Sequence, residues 1–425
     1  MSPPSSTPTR ASVRIGVIGT GYRISTVLRA LRENAPNIAI TAVCDPDADA
    51  RAAFHRALAP EAVDCAEPES LCQRADVDWV FVGSWNCHHA AHAIAAFQAG
   101  KHVFCEKPLA LSHAEAVAMH AAWRASGCSF AYGLVLRYSP LYRKVHDLLR
   151  TGAIGQLLSF EFNETLVFNH GGLIHGNWRR HRALAGTHAL EKCCHDIDLA
   201  HWFAGSLPVR LASFGGCSFF RAENAFHAER IGPSPEGKPP FRSLHSNPRG
   251  ISPFNDDKSI VDHQVAILEF ANGVRASFHT QCLAAIPERR FYLLGSEGTL
   301  RVDAYTGRIE TRHIGWDEPL VVHEPVASDL HAGGDRMMAG ELADALNGLR
   351  APATGFTEGI LSLTTVLALD AALDQGTVVD LRPRWLEVAR QFGDPQAAAA
   401  AAVNGQAPGA AHLEASRQAT APSPA

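Results

Sequence analysis

At 425 residues, with 46% hydrophobic and 19% charged residues, the chain has a globular composition and the length for two substantial domains. A formal charge of −5 speaks against a nucleic-acid or anionic-membrane surface. No apolar run approaches the roughly 18 residues of a membrane span. The N-terminal "MSPPSSTPTRAS" lacks the apolar core and twin arginine of an export signal. The 10 cysteines include no C-x-x-C pair and are expected as reduced thiols of a cytoplasmic enzyme, while 22 histidines keep a metal site under consideration.

Residues 1–11 are expected as a disordered lead. Strand candidates then follow at 13–18, 38–44, 77–82, 102–105 and 129–133, separated by alanine- and leucine-rich helical stretches at 26–34, 90–99 and 113–125. This βαβ alternation predicts a doubly wound parallel sheet over residues 12–135. After residue 135 a helix at 140–150 precedes longer strand candidates at 156–168, 209–219, 261–270, 274–281 and 290–294. Alternation and the Asn272-Gly273 turn in "EFANGVRASF" predict a second α/β domain over 136–392, built on a large, open, mainly antiparallel sheet. Residues 221–257, rich in proline, glycine and charge, read as a long loop. Closing helices are expected at 335–349 and 358–374, and a disordered tail at 393–425.

The segment "VRIGVIGTGYRIST" runs from a strand through a glycine turn into a helix. Gly19 permits the tight turn, and Gly21 lets backbone approach a pyrophosphate at the helix N-terminus, with Tyr22, Arg23 and Ile24 opening that helix. Ile24 stands where G-x-G-x-x-G has its third glycine, which implies a displaced helix or a different local packing. Asp45 follows the second strand, where an acid accepts from a ribose 2′-hydroxyl and repels a 2′-phosphate. Otherwise it is a turn residue before Pro46. The order of these signals favours NAD over NADP.

Further on, "WNCHHAAHAIAAFQAGKHVFCEKPLALSHAEA" resembles the Gfo/Idh/MocA family of NAD(P)-dependent oxidoreductases. The resemblance continues through "LRYSPLYRKVHDLLRTGAIGQL", "LEKCCHDIDLAHWFAG", "LLGSEGTLRVD" and "HAGGD", and covers roughly residues 13–385. It implies a Rossmann domain followed by an α/β domain whose sheet often forms the oligomer interface, hence a homodimer or homotetramer. It also implies a sugar, polyol or related substrate. Ser84, Asn86 and His89 match the family segment along the cofactor. Glu106, Lys107 and Pro108 match E-K-P, whose lysine reaches nicotinamide ribose and substrate. His195 and Asp198 match D-x-G-x-H-x-x-D, but Glu191 replaces the first aspartate, Cys193 replaces the glycine, and Lys192 is an added cation. This looks like a subgroup with E-K-C-C-H.

Oxidation of a secondary alcohol by hydride transfer also removes the hydroxyl proton. An imidazole suits that task, and an ammonium stabilises the developing alkoxide. His195 and Lys107 are the candidates, with Glu191 orienting. A continuous helix through "LEKCCHDIDLAHW" would align Glu191, His195, Asp198 and Trp202 on one stripe, with Asp198 fixing the ring's other nitrogen and Leu190, Cys194 and Ile197 buried beside it. Such a stripe is equally an ordinary solvated face. Lys192, Arg137, Tyr138, Trp178, Arg179 and Arg180 are candidates for carbohydrate contact, each with a structural role as the alternative. "HAGGD" either caps the helix at Asp335 or approaches substrate. "HHAAH" and Cys194–His195 supply no three ligands at zinc-like spacing, so no catalytic metal is expected.

The reading is an NAD-dependent oxidoreductase of a carbohydrate secondary alcohol. Two alternatives stay open: an NAD-retaining glycoside hydrolase or lyase acting by transient oxidation and elimination, and a non-catalytic binding or assembly protein.

Overall fold

The computed structural model describes residues 12–242, 251–255, 257–324 and 331–392. The expected lead and tail lie outside this range, as do residues 243–250 and 256 of the expected loop. Two compact units are distinguished within it. The first comprises residues 12–109, 118–133 and 335–356; the second comprises 110–117, 134–334 and 357–392.

In the first unit, β1 (Val13–Ile18), β2 (Ile38–Cys44), β3 (Val63–Asp64), β4 (Trp79–Val82), β5 (His102–Cys105) and β6 (Phe130–Tyr132) form one sheet in the order β3-β2-β1-β4-β5-β6. Every pairing is parallel. Ile15, Val17, Val80, Phe81 and Val103 are fully buried, as the run-on apolar strands require when helices cover both faces. The strand order reverses between β1 and β4, which opens a crevice beyond their carboxyl ends. The helix Ala48–Leu58 and the two-residue β3 were not expected from sequence.

The turn after β1 depends on two missing side chains. Gly19 has φ +85°, and a Cβ there would lie 2.4 Å from the Ser84 nitrogen and 2.6 Å from the Gly83 carbonyl carbon. Ile24 is 1% exposed, and a Cβ on Gly83 would lie 2.6 Å from its own Cβ. The close helix-to-strand approach that a third glycine normally permits is therefore supplied from the strand side, by Gly83 after β4. The local packing differs, as the sequence implied, and the reason is an exchange of glycine and side chain across one contact.

The second unit holds β7 (Leu157–Val167), β8 (Pro208–Gly216), β9 (His263–Phe270), β10 (Arg275–Ala284), β11 (Arg290–Gly295), β12 (Gly298–Asp303), β13 (Arg308–His313), β14 (Val321–His323) and β15 (Val379–Asp380). Their order is β14-β13-β12-β11-β7-β10-β9-β8-β15, antiparallel except for the parallel pair β7 and β10. The β9–β10 hairpin turns at Asn272-Gly273, where Gly273 takes φ +87°. Phe160, Phe162, Phe278 and Phe291 point inward and contact one another at ring-centroid distances of 4.6 to 6.3 Å. Val265 and Ile267 alternate outward, 45% and 62% exposed.

Residues 221–257 are not the open loop expected. Within their described part, Phe226–Ile231 is helical, and Phe241 and Phe254 pack with Phe220, Ile260, Leu166, Ile174 and Cys282 in a small core of their own. The Asp262 carboxylate accepts the Ser218, Phe219 and Phe220 N–H groups. Lys258 Nζ donates to the Phe220 and Pro253 carbonyls. The segment is thus anchored at its centre and at its return.

One helix, Phe356–Gln375, does have the length and hydropathy of a membrane span, contrary to the sequence expectation, but 67% of that window is buried inside the protein. Its Ser362 Oγ donates to the Cys194 carbonyl at 2.7 Å, and its Thr365 Oγ1 lies 3.0 Å from His201 Nε2. It is a core helix of the second unit.

Two stability measurements follow. Gly83→Ala should cost about 1–3 kcal/mol by overpacking, and the cost should largely vanish in an Ile24→Gly background, which removes the Ile24 Cβ that the new methyl would meet; urea melts of the four proteins measure this coupling. Equal costs in both backgrounds would refute the exchange. Burial pushes the His175 and His201 imidazoles down to about 3. Unfolding releases them to titrate near 6.5, so the unfolded chain binds more protons below that value. Stability should be fully present above about pH 6.5 and fall as the pH drops toward 3. Denaturant midpoints that stay flat across that interval would contradict this.

Candidate functional site

In the first unit, Gly21 is the cap residue of the helix Tyr22–Asn34, with no side-chain hydrogen bond capping that end. A Cβ on Gly21 would meet nothing within 4 Å. An open, uncapped helix start presents orphan N–H groups and the positive end of the dipole, which is a seat for a pyrophosphate. Tyr22 stands 56% exposed beside it. Asp45 does two things. Its Oδ2 accepts the Thr20 N–H at 2.7 Å and the Thr20 hydroxyl at 3.0 Å, and its Oδ1 accepts the Asp47 N–H at 2.9 Å. Of the roughly four acceptor directions of a carboxylate, one stays available to a ribose hydroxyl. Asp45 is a turn residue as well as a ribose candidate.

Other residues expected at the cofactor are tied to one another. Arg23 Nε donates to Glu106 Oε1 at 2.8 Å, and its Nη1 to Asp335 Oδ1 at 2.5 Å. The Ser84 hydroxyl lies 2.9 Å from His92 Nδ1. His89 is buried, with Nδ1 2.7 Å from the Pro108 carbonyl and Nε2 3.1 Å from the Ser84 carbonyl. Burial lowers its pKa, so the ring is neutral and has one N–H, which the shorter Pro108 contact takes. His89 thus donates to the E-K-P turn at Pro108, while its Nε2, without a proton, only packs against the Ser84 carbonyl. Asn86 begins the short 3₁₀ turn Asn86–His88 and is buried.

In the second unit, Thr187 Oγ1 caps the helix His188–Glu191 by accepting the Leu190 N–H at 3.1 Å, and itself donates to Asp370 at 2.8 Å. Glu191 ends that helix, and His195 is the second residue of the next, Cys194–Ala204. The single helix expected through this motif is thus broken at Lys192-Cys193. Arg179 Nε donates to Glu191 Oε1 at 2.9 Å, and its guanidinium lies 4.4 Å over the Trp178 ring. Glu191, Arg179 and Trp178 form one polar and aromatic wall. His195, 4% exposed, has His331 of "HAGGD" at a ring-centroid distance of 6.5 Å.

Two expectations are corrected here. Asp198 is held by Arg137 through contacts of 2.6 and 2.9 Å, so that carboxylate pairs with Arg137 in place of the His195 ring. Arg137, which also lies 4.9 Å over Trp202, is committed to the protein interior. Arg180 likewise spends its guanidinium on Asp257 and the Asn177 carbonyl, and Tyr138 is buried.

Four residues that sequence reasoning passed over, Glu164, His170, Asp196 and Arg289, interact with Lys192 or with one another. Lys192 Nζ pairs with Glu164 at 3.3 Å, and Arg289 pairs with both Glu164, at 3.3 Å, and Asp196, at 2.7 Å. Burial alone would raise the Glu164 carboxyl, but Arg289 and Lys192 outweigh it and hold it low, while burial wins at Asp196 and pushes it up. His170 is driven down to about 3 by burial and by Lys192. The signal for Glu164 was its parity on β7, where it stands in the same alternating, buried row as Phe160, Phe162 and Leu166. Glu164, Cys193 and Asp196 offer atoms within 4.8 Å of one another, as metal ligands would. The Arg289 guanidinium already neutralises two of them, and the donor set does not need an ion.

Comparison with known proteins gives the family of both domains. A profile described as "Oxidoreductase family, NAD-binding Rossmann fold" matches residues 13–134, and the GFO/IDH/MocA C-terminal domain matches 142–301. Among curated relatives, 2,7-anhydro-N-acetylneuraminate hydratase of Escherichia coli is 26% identical over 75% of this chain and 74% of its own. Inositol 2-dehydrogenase 3 of Saccharopolyspora erythraea is 34% identical over 45% of this chain, which spans about half, 53%, of that relative. Among solved structures, levoglucosan dehydrogenase in complex with NADH and levoglucosan superposes with TM-score 0.70 at 19% identity, over 87% of this chain and 99% of that one. The myo-inositol 2-dehydrogenase of Lactobacillus plantarum gives 0.66 at 21% identity, over 87% and 99%. At these identities the structural matches speak for the fold. With the glycine turn, the E-K-P lysine and both matched domains in place, the chain belongs to the Gfo/Idh/MocA family of NAD-binding oxidoreductases.

Proposed function

We propose that the protein is an NAD-dependent dehydrogenase or reductase acting on a secondary alcohol of a sugar, polyol or related carbohydrate. The observation that carries the reading is the open, uncapped helix start at Gly21 in a chain that also keeps Lys107 in E-K-P and the Glu191/His195 pair. NAD, when bound, supplies the hydride acceptor at the nicotinamide ring. The residues of this chain do the rest. Lys107 brings an ammonium that stabilises the alkoxide as the C–H bond breaks, and His195 takes the hydroxyl proton. Glu191, its carboxylate fixed by Arg179, accepts from a neighbouring hydroxyl, and the Trp178 face offers a surface for sugar C–H groups. Lys192 is a further hydroxyl or carboxylate contact, steadied by Glu164. The similarity to inositol dehydrogenases supports a polyol or sugar as substrate.

A second reading has one specific support, the similarity to a hydratase of an anhydro sugar over three quarters of the chain. Transient oxidation, elimination and return of the hydride to the sugar would give cleavage without accumulation of NADH. Assembly as a homodimer or homotetramer is part of the proposal. Phe214, paired in register with Val265, and Ile267 one strand pair along leave exposed apolar side chains on the outer sheet face.

Following NADH absorbance with a panel of cyclitols and sugars should reveal a substrate. Lys107→Ala and His195→Ala should each lower kcat/KM by about 100-fold or more while the rise in melting temperature on adding NAD persists. Activity unchanged in both variants would refute the roles. A glycoside cleaved with no NADH accumulating would transfer the conclusion to the second reading.

A further inference from the structure

We infer that Arg23 is a positioning residue for Lys107, acting through Glu106, and is not itself a ligand of the cofactor. This rests on the proposed role of Lys107. Arg23 sits at the second position of the helix whose open start receives the pyrophosphate, where a guanidinium would be assigned by default to phosphate. Its side chain goes elsewhere. Nε and Nη1 are each given to a different carboxylate, Glu106 and Asp335, and Nη2 is buried beside them without a hydrogen-bond partner among the described residues.

Glu106 is fixed by this from every side. It is 4% exposed, with Oε1 on Arg23 and Oε2 accepting the Lys107 backbone N–H at 3.2 Å. Behind it, a Cβ on Gly133 would lie only 3.0 Å from Oε2, so a side chain after β6 would push the Glu106 carboxylate out of place. On the other flank of the lysine, His89 holds the Pro108 carbonyl. Residue 107 is therefore clamped at its own N–H and at the following carbonyl, and the first clamp is oriented by Arg23. A planar fork reaches two carboxylates at once; a lysine in its place would be a point charge serving one of them. Because Arg23 belongs to the helix that seats the pyrophosphate, the same side chain joins nucleotide binding to the setting of Lys107.

The test uses the full-length protein and a readout that needs no substrate. Lys107 is labelled by reductive methylation with and without NAD, and its rate is read by peptide mass spectrometry in wild type, Arg23→Lys and Glu106→Gln. NAD affinity is measured alongside by fluorescence titration. In wild type, NAD should change the labelling rate of Lys107. In Arg23→Lys that response should be lost, while the Kd for NAD stays within about threefold. Glu106→Gln, an isostere that keeps the chain folded if Arg23→Lys does not, should lose the response too. Where a substrate is in hand, kcat should fall about tenfold or more with KM little changed. A Kd raised about tenfold in Arg23→Lys, or an unchanged Lys107 response, would overturn the assignment. If no carbohydrate is oxidised by wild type, the proposed function fails while the labelling result still decides this one.

Discussion

At the centre of the nucleotide-binding unit, backbone meets backbone with nothing between. Gly19 lies so close to Gly83 and Ser84 that any Cβ on it would collide with main chain, and Gly83 in turn gives its side-chain volume to Ile24. The ends of β1 and β4 can meet only because of these two vacancies, and the helix at Tyr22 can start over them only because Ile24 has that space. Asp45 then locks the turn through Thr20. The helix start that results is bare of capping side chains, which is the electrostatic basis for taking a pyrophosphate there. A motif with one glycine missing proves intact once the contact is seen from the opposite strand.

The second unit solves a different problem, that of placing many charges where water is scarce. Glu191, Glu164, Asp196 and Asp198 are all largely buried, and each has an arginine or lysine against it. An isolated buried carboxylate takes up a proton; the cationic partners oppose this and prevail at Glu164, while burial prevails at Asp196 and Asp198, where the partners fix direction more than charge. The cost is that several residues with suitable chemistry for carbohydrate are occupied in holding their neighbours. What keeps partial exposure among the remaining candidates is narrower than the composition suggests: Trp178, Arg179 and Lys192, with Glu191 and His195 buried.

The legibility of the chain followed how far apart its partners lie in sequence. The central parallel strands were readable to within a residue or two, because burial on both faces leaves unbroken apolar runs such as "WVFV" and "HVFC". β12 to β14 escaped, since β12 and β13 mix charge with apolar residues, as in "RIETRH", where even the buried Glu310 is charged, and β14 is only three residues long. Arg137 was read as a sugar contact because its partner, Asp198, lies 61 positions away and leaves no local trace. The segment around Phe241 and Phe254 read as a loop for the same reason: its core is assembled from strands and turns far along the chain. The interrupted helix at Lys192-Cys193 has no proline or glycine to announce it. Family motifs singled out residues by type and order, but which of them hold one another was a matter of three-dimensional pairing.

The central claim is that the bare helix start at Gly21 seats a dinucleotide whose nicotinamide ribose comes to Lys107. A crystal structure grown with NAD tests it most directly. The account predicts the pyrophosphate over Gly21, the adenosine ribose at Asp45, and Lys107 Nζ within hydrogen-bond reach of the other ribose, with Arg23 still on Glu106 and Asp335. A pyrophosphate held elsewhere, or bound by Arg23 with its two carboxylates released, would contradict it.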